Sequence, residues 1–157
     1  VRGGTGSASE SEVQPDFLPD RYEAGTQNLA ALAGLGAALA YLESESVSRI
    51  ASREAALVGR LHSGLLSIPG LSVSGPPLGE PRAPLVSFVV DGLDSGEIAR
   101  GLDARGIAGR MGLHCAPAAH RSAGTFSRGG SIRLSPGYFT AEGEIDETIA
   151  ALKEILE

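Results

Sequence analysis

Leucines that recur every three or four residues constrain the fold of this chain more than any other feature. The series is Leu29, Leu32, Leu35, Leu39 and Leu42. This spacing follows the period of an α-helix, so the leucines share one helical face. We therefore predict a long helix from about Asn28 to Leu42. The same reasoning predicts a second helix from Val47 to Leu65 that ends before Pro69.

Short apolar runs between turn-forming residues indicate strands. The predicted strands are Leu71–Ser74, Leu85–Val90, Ile107–Arg110 and Ser131–Leu134. A third helix is predicted after Asp94, because Glu97 lies three residues further on, as in a capping box. A fourth helix is predicted after Thr140, which we expect to act as its cap.

The order of these elements predicts the fold class. Helices and strands alternate over connections short enough to fold the helices back onto a small sheet, so we predict an α/β chain of the α+β sandwich type, with helices packed on a small, mostly antiparallel sheet. Residues 1–27 lack helical or alternating patterns and are predicted to form an extended arm that carries site residues. Residues 28–157 are predicted to form the folded domain. The weak alternation leaves the strand order open.

Composition excludes several classes of function. The chain has 157 residues, is 42% hydrophobic and carries a net charge of −6. An acidic chain without a basic cluster is unsuited to nucleic acids or anionic membranes. No apolar stretch is long enough to span a bilayer. A single cysteine forms no internal disulfide, which is typical of a cytosolic protein.

The stretch from Arg110 to Ser135 is the best candidate for chemistry. It holds the only cysteine, Cys115, beside His114 and ahead of a loop rich in Gly and Ser. Nearby cations and an accessible loop favour a reactive thiolate. Arg133 stands in a predicted strand, where a rigid guanidinium suits the bidentate binding of a carboxylate. From spacing alone, pairing of Arg133 with a structural acid is an equal alternative.

Two other chemistries, a metal site and a Cys-His protease dyad, fit this stretch less well. His114, Cys115 and His120 include metal-ligand types, but adjacent His and Cys cannot easily face one tetrahedral ion, so no metal site is predicted. A Cys-His protease dyad lacks an accompanying oxyanion-hole motif.

Three motifs, in this order along the chain, resemble the C-terminal part of class V aminotransferases. They are Arg21-Tyr-Glu-Ala-Gly-Thr-Gln-Asn28, Arg110-Met-Gly-Leu-His-Cys-Ala-Pro117 and a segment from Ser131-Ile-Arg-Leu-Ser to Asp146. The closest resemblance is to the branch of cysteine desulfurases and selenocysteine lyases. These are fold-type I enzymes that use pyridoxal 5'-phosphate, and the resemblance spans nearly the whole chain.

The resemblance implies roles for particular residues. Cys115 matches the cysteine that takes sulfur from the substrate as a persulfide, and Arg133 matches the arginine that holds the substrate carboxylate. Arg110 and His114 belong to the same motif and are implied to contact the substrate. The residues implied to approach the cofactor, in part from the other subunit of a homodimer, are Gly3, Gly4, Thr5, Gly25 and Thr26, and Asn28 belongs to the same motif as Thr26.

The resemblance also implies what this chain would lack. The lysine that binds pyridoxal phosphate belongs in the family to an N-terminal domain, which we expect to precede Val1. The only lysine here is Lys153, in the last predicted helix. The leading hypothesis is thus the small C-terminal domain of a cysteine desulfurase, inactive alone, which would use L-cysteine or L-selenocysteine and pass sulfur to an acceptor protein. The alternatives are a selenocysteine lyase, another class V aminotransferase and a non-catalytic dimerisation module.

Overall fold

The computed structural model describes residues 4–157, so the predicted role of Gly3 falls outside the described residues. The chain forms two compact units, one ending at Ser46 and the other spanning Val47–Glu157. Each unit is described by itself. The predicted division into residues 1–27 and 28–157 stays a prediction.

The first unit consists of a long irregular segment followed by one helix. A 3-10 turn at Asp20–Tyr22 precedes α1, which spans Leu29–Glu45. Asn28 caps α1 because its side-chain oxygen accepts a hydrogen bond from the amide of Ala31 at 3.0 Å. The predicted leucine-bearing helix is confirmed, and it continues three residues beyond Leu42. No residue of α1 is buried.

The second unit packs helices on one antiparallel sheet. The strands are β1 (Leu71–Ser74), β2 (Val86–Val90), β3 (Arg110–Gly112) and β4 (Ser131–Leu134), and their order is β1-β2-β4-β3. The helices are α2 (Val47–Leu66), α3 (Ser95–Asp103), the short α4 (Pro117–Ser122) and α5 (Glu142–Leu156). This arrangement confirms the predicted small, mostly antiparallel sheet covered by helices.

Two predicted boundaries are wrong. The strand predicted at Ile107–Arg110 begins at Arg110, where pairing with β4 starts. Ile107 instead follows the end of α3, and its amide donates to the carbonyl of Leu102 at 3.0 Å. Likewise, Thr140 does not cap the last helix. The N-cap is Ala141, one residue after Thr140. The hydroxyl of Thr140 accepts a hydrogen bond from the amide of Gly137 at 3.1 Å.

The start of α3 agrees with the sequence. Asp94 is the N-cap, and its carboxylate accepts a hydrogen bond from the amide of Gly96 at 2.9 Å. This satisfies one of the amides that have no partner within the helix.

The two faces of the sheet differ in composition. Side chains alternate along each strand, and directly paired residues share a face. The covered face packs against α2, α3 and α5 and is largely apolar; its members are Leu71, Val73, Val86, Phe88, Val90, Met111, Ile132 and Leu134. The opposite side is here called the polar face, and its members are Ser72, Ser74, Ser87, Val89, Arg110, Gly112, Ser131 and Arg133.

Close helix contacts complete the core on the covered side. Phe88 and Ile132 are fully buried. A Cβ added at Gly64 of α2 would lie 2.1 Å from Cδ1 of Ile149 on α5, and one added at Gly101 of α3 would lie 2.9 Å from Cδ1 of Ile155. Glycine at these two positions therefore lets α5 approach both neighbouring helices.

Candidate functional site

Two arginines lie side by side on the polar face. Arg110 of β3 pairs directly with Arg133 of β4, so their side chains leave the sheet on the same side. Within residues 4–157 neither forms a salt bridge with a carboxylate, so Arg133 has no structural acid as its partner among these residues. The Nε atom of Arg133 is buried and has no hydrogen-bond partner among these residues. A pair of arginines on one face, without an acid partner among residues 4–157, can bind an anionic ligand.

Cys115 lies in a tight turn that leaves β3. The amide of Ala116 donates to the carbonyl of Leu113 at 2.8 Å, which closes the turn. The two central residues, His114 and Cys115, have φ angles of 49° and 58°. Positive φ at both positions is typical of a type I′ turn, which favours Asn and Gly. Because His114 and Cys115 stand where Asn and Gly are preferred, the backbone conformation of each costs on the order of 1–2 kcal/mol. The Cys115 thiol group belongs to an exposed residue.

The ring of His114 ties this turn to β4. Its Nε2 lies 3.1 Å from the carbonyl oxygen of Ser131. A carbonyl only accepts, so Nε2 carries the proton and Nδ1 is the acceptor nitrogen of the neutral ring. Burial lowers the pKa of His114, the bond to Ser131 opposes that change, and the charges of Arg133 and Arg110 lower the pKa further. The Nδ1 atom is buried and has no partner within residues 4–157.

The segment after Cys115 is ordered, whereas the sequence suggested only an accessible loop. It contains α4 and a 3-10 turn at Phe126–Arg128. His120 is buried, and its Nδ1 lies 2.7 Å from the hydroxyl of Thr125. The amide of Thr125 donates to the carbonyl of His120 at 2.9 Å, and the amide of Gly130 donates to the carbonyl of Thr125 at 3.0 Å. These hydrogen bonds from His120 to Thr125, and from Thr125 to Gly130, therefore stabilise the segment between α4 and β4.

The end of this segment returns close to its beginning. A Cβ added at Gly130 would lie 2.1 Å from the carbonyl oxygen of Gly112, and the φ of Gly130 is 102°. Only glycine meets both conditions. Gly112 in turn pairs with Ser131, whose hydroxyl lies 2.7 Å from that of Ser87. Sequence reasoning missed Gly130, Ser87 and Ser131, because their roles depend on strand register.

The residues predicted to approach a cofactor lie in the first unit. The amide of Gly25 donates to the carbonyl of Gly4 at 2.9 Å, so the two glycine segments meet. The Thr5 hydroxyl donates to the carbonyl of Ala8 at 2.8 Å and has no proton left for a phosphate. Thr26 is exposed, has no hydrogen bond of its hydroxyl within residues 4–157, and precedes the N-cap of α1 by two residues. An exposed hydroxyl near a helix N-terminus fits a phosphate group.

Some groups do not gather at the candidate site. Lys153 is exposed on α5, which packs behind the covered face. Among residues 4–157 no set of three or more His, Cys, Asp or Glu side chains is placed to hold a metal ion. Over the same residues, no helix has both the length and the hydrophobicity needed to cross a membrane.

Sequence and structure comparisons give the family. The model of the class-V aminotransferases matches residues 2–148, and the chain belongs to that family. It is 38% identical to a probable cysteine desulfurase of Mycobacterium leprae over 139 aligned residues, and this alignment covers 88% of this chain and 22% of that protein. It is 39% identical to a probable cysteine desulfurase of Synechocystis over 137 aligned residues, and this alignment covers 87% of this chain and 32% of that protein.

Solved structures agree with this family. The apo cysteine desulfurase of Thermococcus onnurineus superposes with a TM-score of 0.77 at 31% identity, over 87% of this chain and 33% of that one. A cysteine desulfurase of Escherichia coli gives a TM-score of 0.75 at 26% identity, over 88% of this chain and 33% of that one. The chain therefore spans between about a fifth and a third of the length of these relatives.

Proposed function

We propose that this chain is the C-terminal part of a cysteine desulfurase, an enzyme that converts L-cysteine to L-alanine and transfers the sulfur to Cys115. The observation that carries the proposal is the placement of an exposed cysteine on a strained turn, directly after the strand that bears Arg110. This arginine and its neighbour Arg133 have no acid partner within residues 4–157. Strained backbone of this kind concentrates at functional sites.

Arg133 is proposed to bind the substrate carboxylate. Its buried Nε has no partner in the described part of the chain, and a carboxylate would supply the missing acceptor. Arg110, its cross-strand neighbour, adds a second positive charge at the same seat. The free Nδ1 of His114 can accept a hydrogen bond from a donor group of the same substrate.

The cofactor of this activity is pyridoxal 5'-phosphate. Thr26 is proposed to bind its phosphate group, with Gly25 and Gly4 allowing close approach of the backbone, and Thr5 nearby. In the family arrangement Thr26 serves the cofactor of the other subunit, so we propose a homodimer. When bound, pyridoxal phosphate supplies the electron sink that weakens the bond between Cβ and the sulfur of the substrate.

Cys115 performs the proposed transfer as a nucleophile. Its thiolate attacks the substrate sulfur and forms a new S–S bond, while the bond between that sulfur and Cβ breaks. The electron pair of the broken bond stays with the substrate carbon, which is protonated to give alanine. Exposure of Cys115 would then let an acceptor protein reach the terminal sulfur of the persulfide.

The direct test is Cys115→Ala in the full-length protein, with L-cysteine as substrate and a reductant present. We expect sulfide release to be abolished while circular dichroism is unchanged, because the attacking group is lost and its side chain is exposed. Normal turnover would exclude the persulfide mechanism, and turnover of selenocysteine alone would favour a selenocysteine lyase. The chain by itself, with added pyridoxal phosphate, is expected to be inactive because Lys153 lies on α5.

A further inference from the structure

We propose that His114 is a positioning residue for Cys115, acting through the hydrogen bond that its Nε2 donates to the carbonyl of Ser131. This inference rests on the proposed function of Cys115 and adds a second residue to it. Three observations carry it: the conformation of the turn, the direction of the hydrogen bond and the bracing of the surrounding segment.

The turn needs an external hold. His114 and Cys115 are, with Ser46, the only residues other than glycine that have positive φ within residues 4–157. Positive φ is uncommon for residues other than glycine, and the turn itself is closed by a single backbone hydrogen bond from Ala116 to Leu113. A further hydrogen bond from the turn to the sheet stabilises this conformation relative to alternative conformations of the same residues.

The His114 ring provides the tie at a fixed point of the sheet. Ser131 is 2% exposed and pairs with Gly112, so its carbonyl is held within the β-ladder. The ring therefore connects the residue beside Cys115 to the strand that carries Arg133. The distance from Cys115 to the proposed carboxylate site is set through this bond as well as through the backbone.

The other side of the turn is braced independently. The His120 ring lies 5.7 Å from the His114 ring, centre to centre, and is itself held by Thr125. Gly130 brings the end of the segment back against Gly112. These contacts limit the space into which the His114 ring can move, and they therefore favour the hydrogen bond between its Nε2 and the carbonyl of Ser131.

The choice of substitutions separates this role from two others. Glutamine places its amide nitrogen as many bonds from Cα as Nε2 of histidine, so it can keep the bond to Ser131. Asparagine mimics Nδ1 and tolerates positive φ, but it is one bond too short for that carbonyl. Glycine relieves the backbone and removes the ring.

In the full-length protein we expect His114→Asn and His114→Gly to lower kcat for sulfide release roughly 10- to 100-fold, because small misplacement of a reacting group has effects of that size, and His114→Gln to recover most of that loss. The KM for L-cysteine should rise in His114→Gln and His114→Gly, which lose the Nδ1 acceptor proposed for the substrate, and rise less in His114→Asn, so the positioning role is measured by kcat. Retention of kcat by Asn or Gly together with its loss in Gln would overturn the proposal.

A second measurement needs no activity. Nitrogen NMR of the histidine rings in this chain should find His114 as the tautomer protonated at Nε2, and an Nδ1-protonated ring would overturn the proposal. The Cys115→Ala control separates the two levels. If that variant still releases sulfide, the proposed function fails. If it is inactive while His114→Gly is fully active, only the positioning role fails.

Discussion

The two faces of the sheet follow opposite rules, although they are built from alternate residues of the same strands. On the covered face Ile132 is fully buried among apolar side chains. On the polar face its neighbour Arg133 lies beside a second arginine, and its buried Nε has no hydrogen-bond partner among the residues that the structure describes. One face maximises packing, and the other keeps charge and unsatisfied hydrogen-bonding capacity. A site of this kind is stable because the opposite face stabilises the strands that carry it.

Substitution of two adjacent residues tests this contrast most strongly. Ile132→Ala should lower the free energy of unfolding by about 3 kcal/mol, because it leaves a cavity in the core. Arg133→Ala should change stability by less than about 1 kcal/mol, yet reduce kcat/KM for L-cysteine by roughly 100-fold or more in the full-length protein. Urea unfolding of the chain and sulfide assays measure the two effects. Equal destabilisation by both substitutions would contradict the division between the faces.

Two glycines of α2 provide a matched pair on the covered side. Gly64→Ala should destabilise the chain by about 1–3 kcal/mol, because the new Cβ would overlap Ile149. A Cβ at Gly59 meets no atom within 4 Å. Gly59→Ala should therefore stabilise the chain by about 0.5–1 kcal/mol through helix propensity. Thermal unfolding of both variants gives the comparison, and a loss of stability in Gly59→Ala would show that contact is not what distinguishes the two positions.

The pH dependence of stability should reflect both a buried histidine on α2, His62, and the site histidine, His114. Burial and the charge of Arg82 lower the pKa of His62 from its ordinary value of 6.5. The unfolded chain then binds more protons than the folded chain near this pH, so stability should fall as pH drops below about 6.5. His114 has the same sign.

This effect is the smallest of the three. His62→Leu should flatten the dependence of the unfolding free energy on pH between about pH 7 and 5, but not abolish it, because His114 still contributes. Urea titrations across that range measure the slope. An unchanged slope would mean that His62 titrates alike in the folded and unfolded chain.

Local patterns in the sequence predicted most of the elements, since a leucine series, an Asp94 cap and an apolar run before Val90 act over a few residues. The strand at Ile107 was misplaced, because it follows a helix end that uses its amide. The residue types between Arg110 and Ser135 singled out Cys115 and Arg133, and the family resemblance assigned their roles. Direct pairing of Arg110 with Arg133 could not be predicted, because strand register depends on contacts distant in sequence. The same holds for the bond between His114 and Ser131.

The left-handed pair at His114 and Cys115 has a consequence for how this protein can be improved. A search for stabilising substitutions would reach these two positions early, because Asn-Gly is the preferred pair in such a turn. In the proposed enzyme that replacement would gain stability and remove the nucleophile. The turn is therefore a point where thermal robustness and turnover oppose each other, and selection for either one alone would choose different residues.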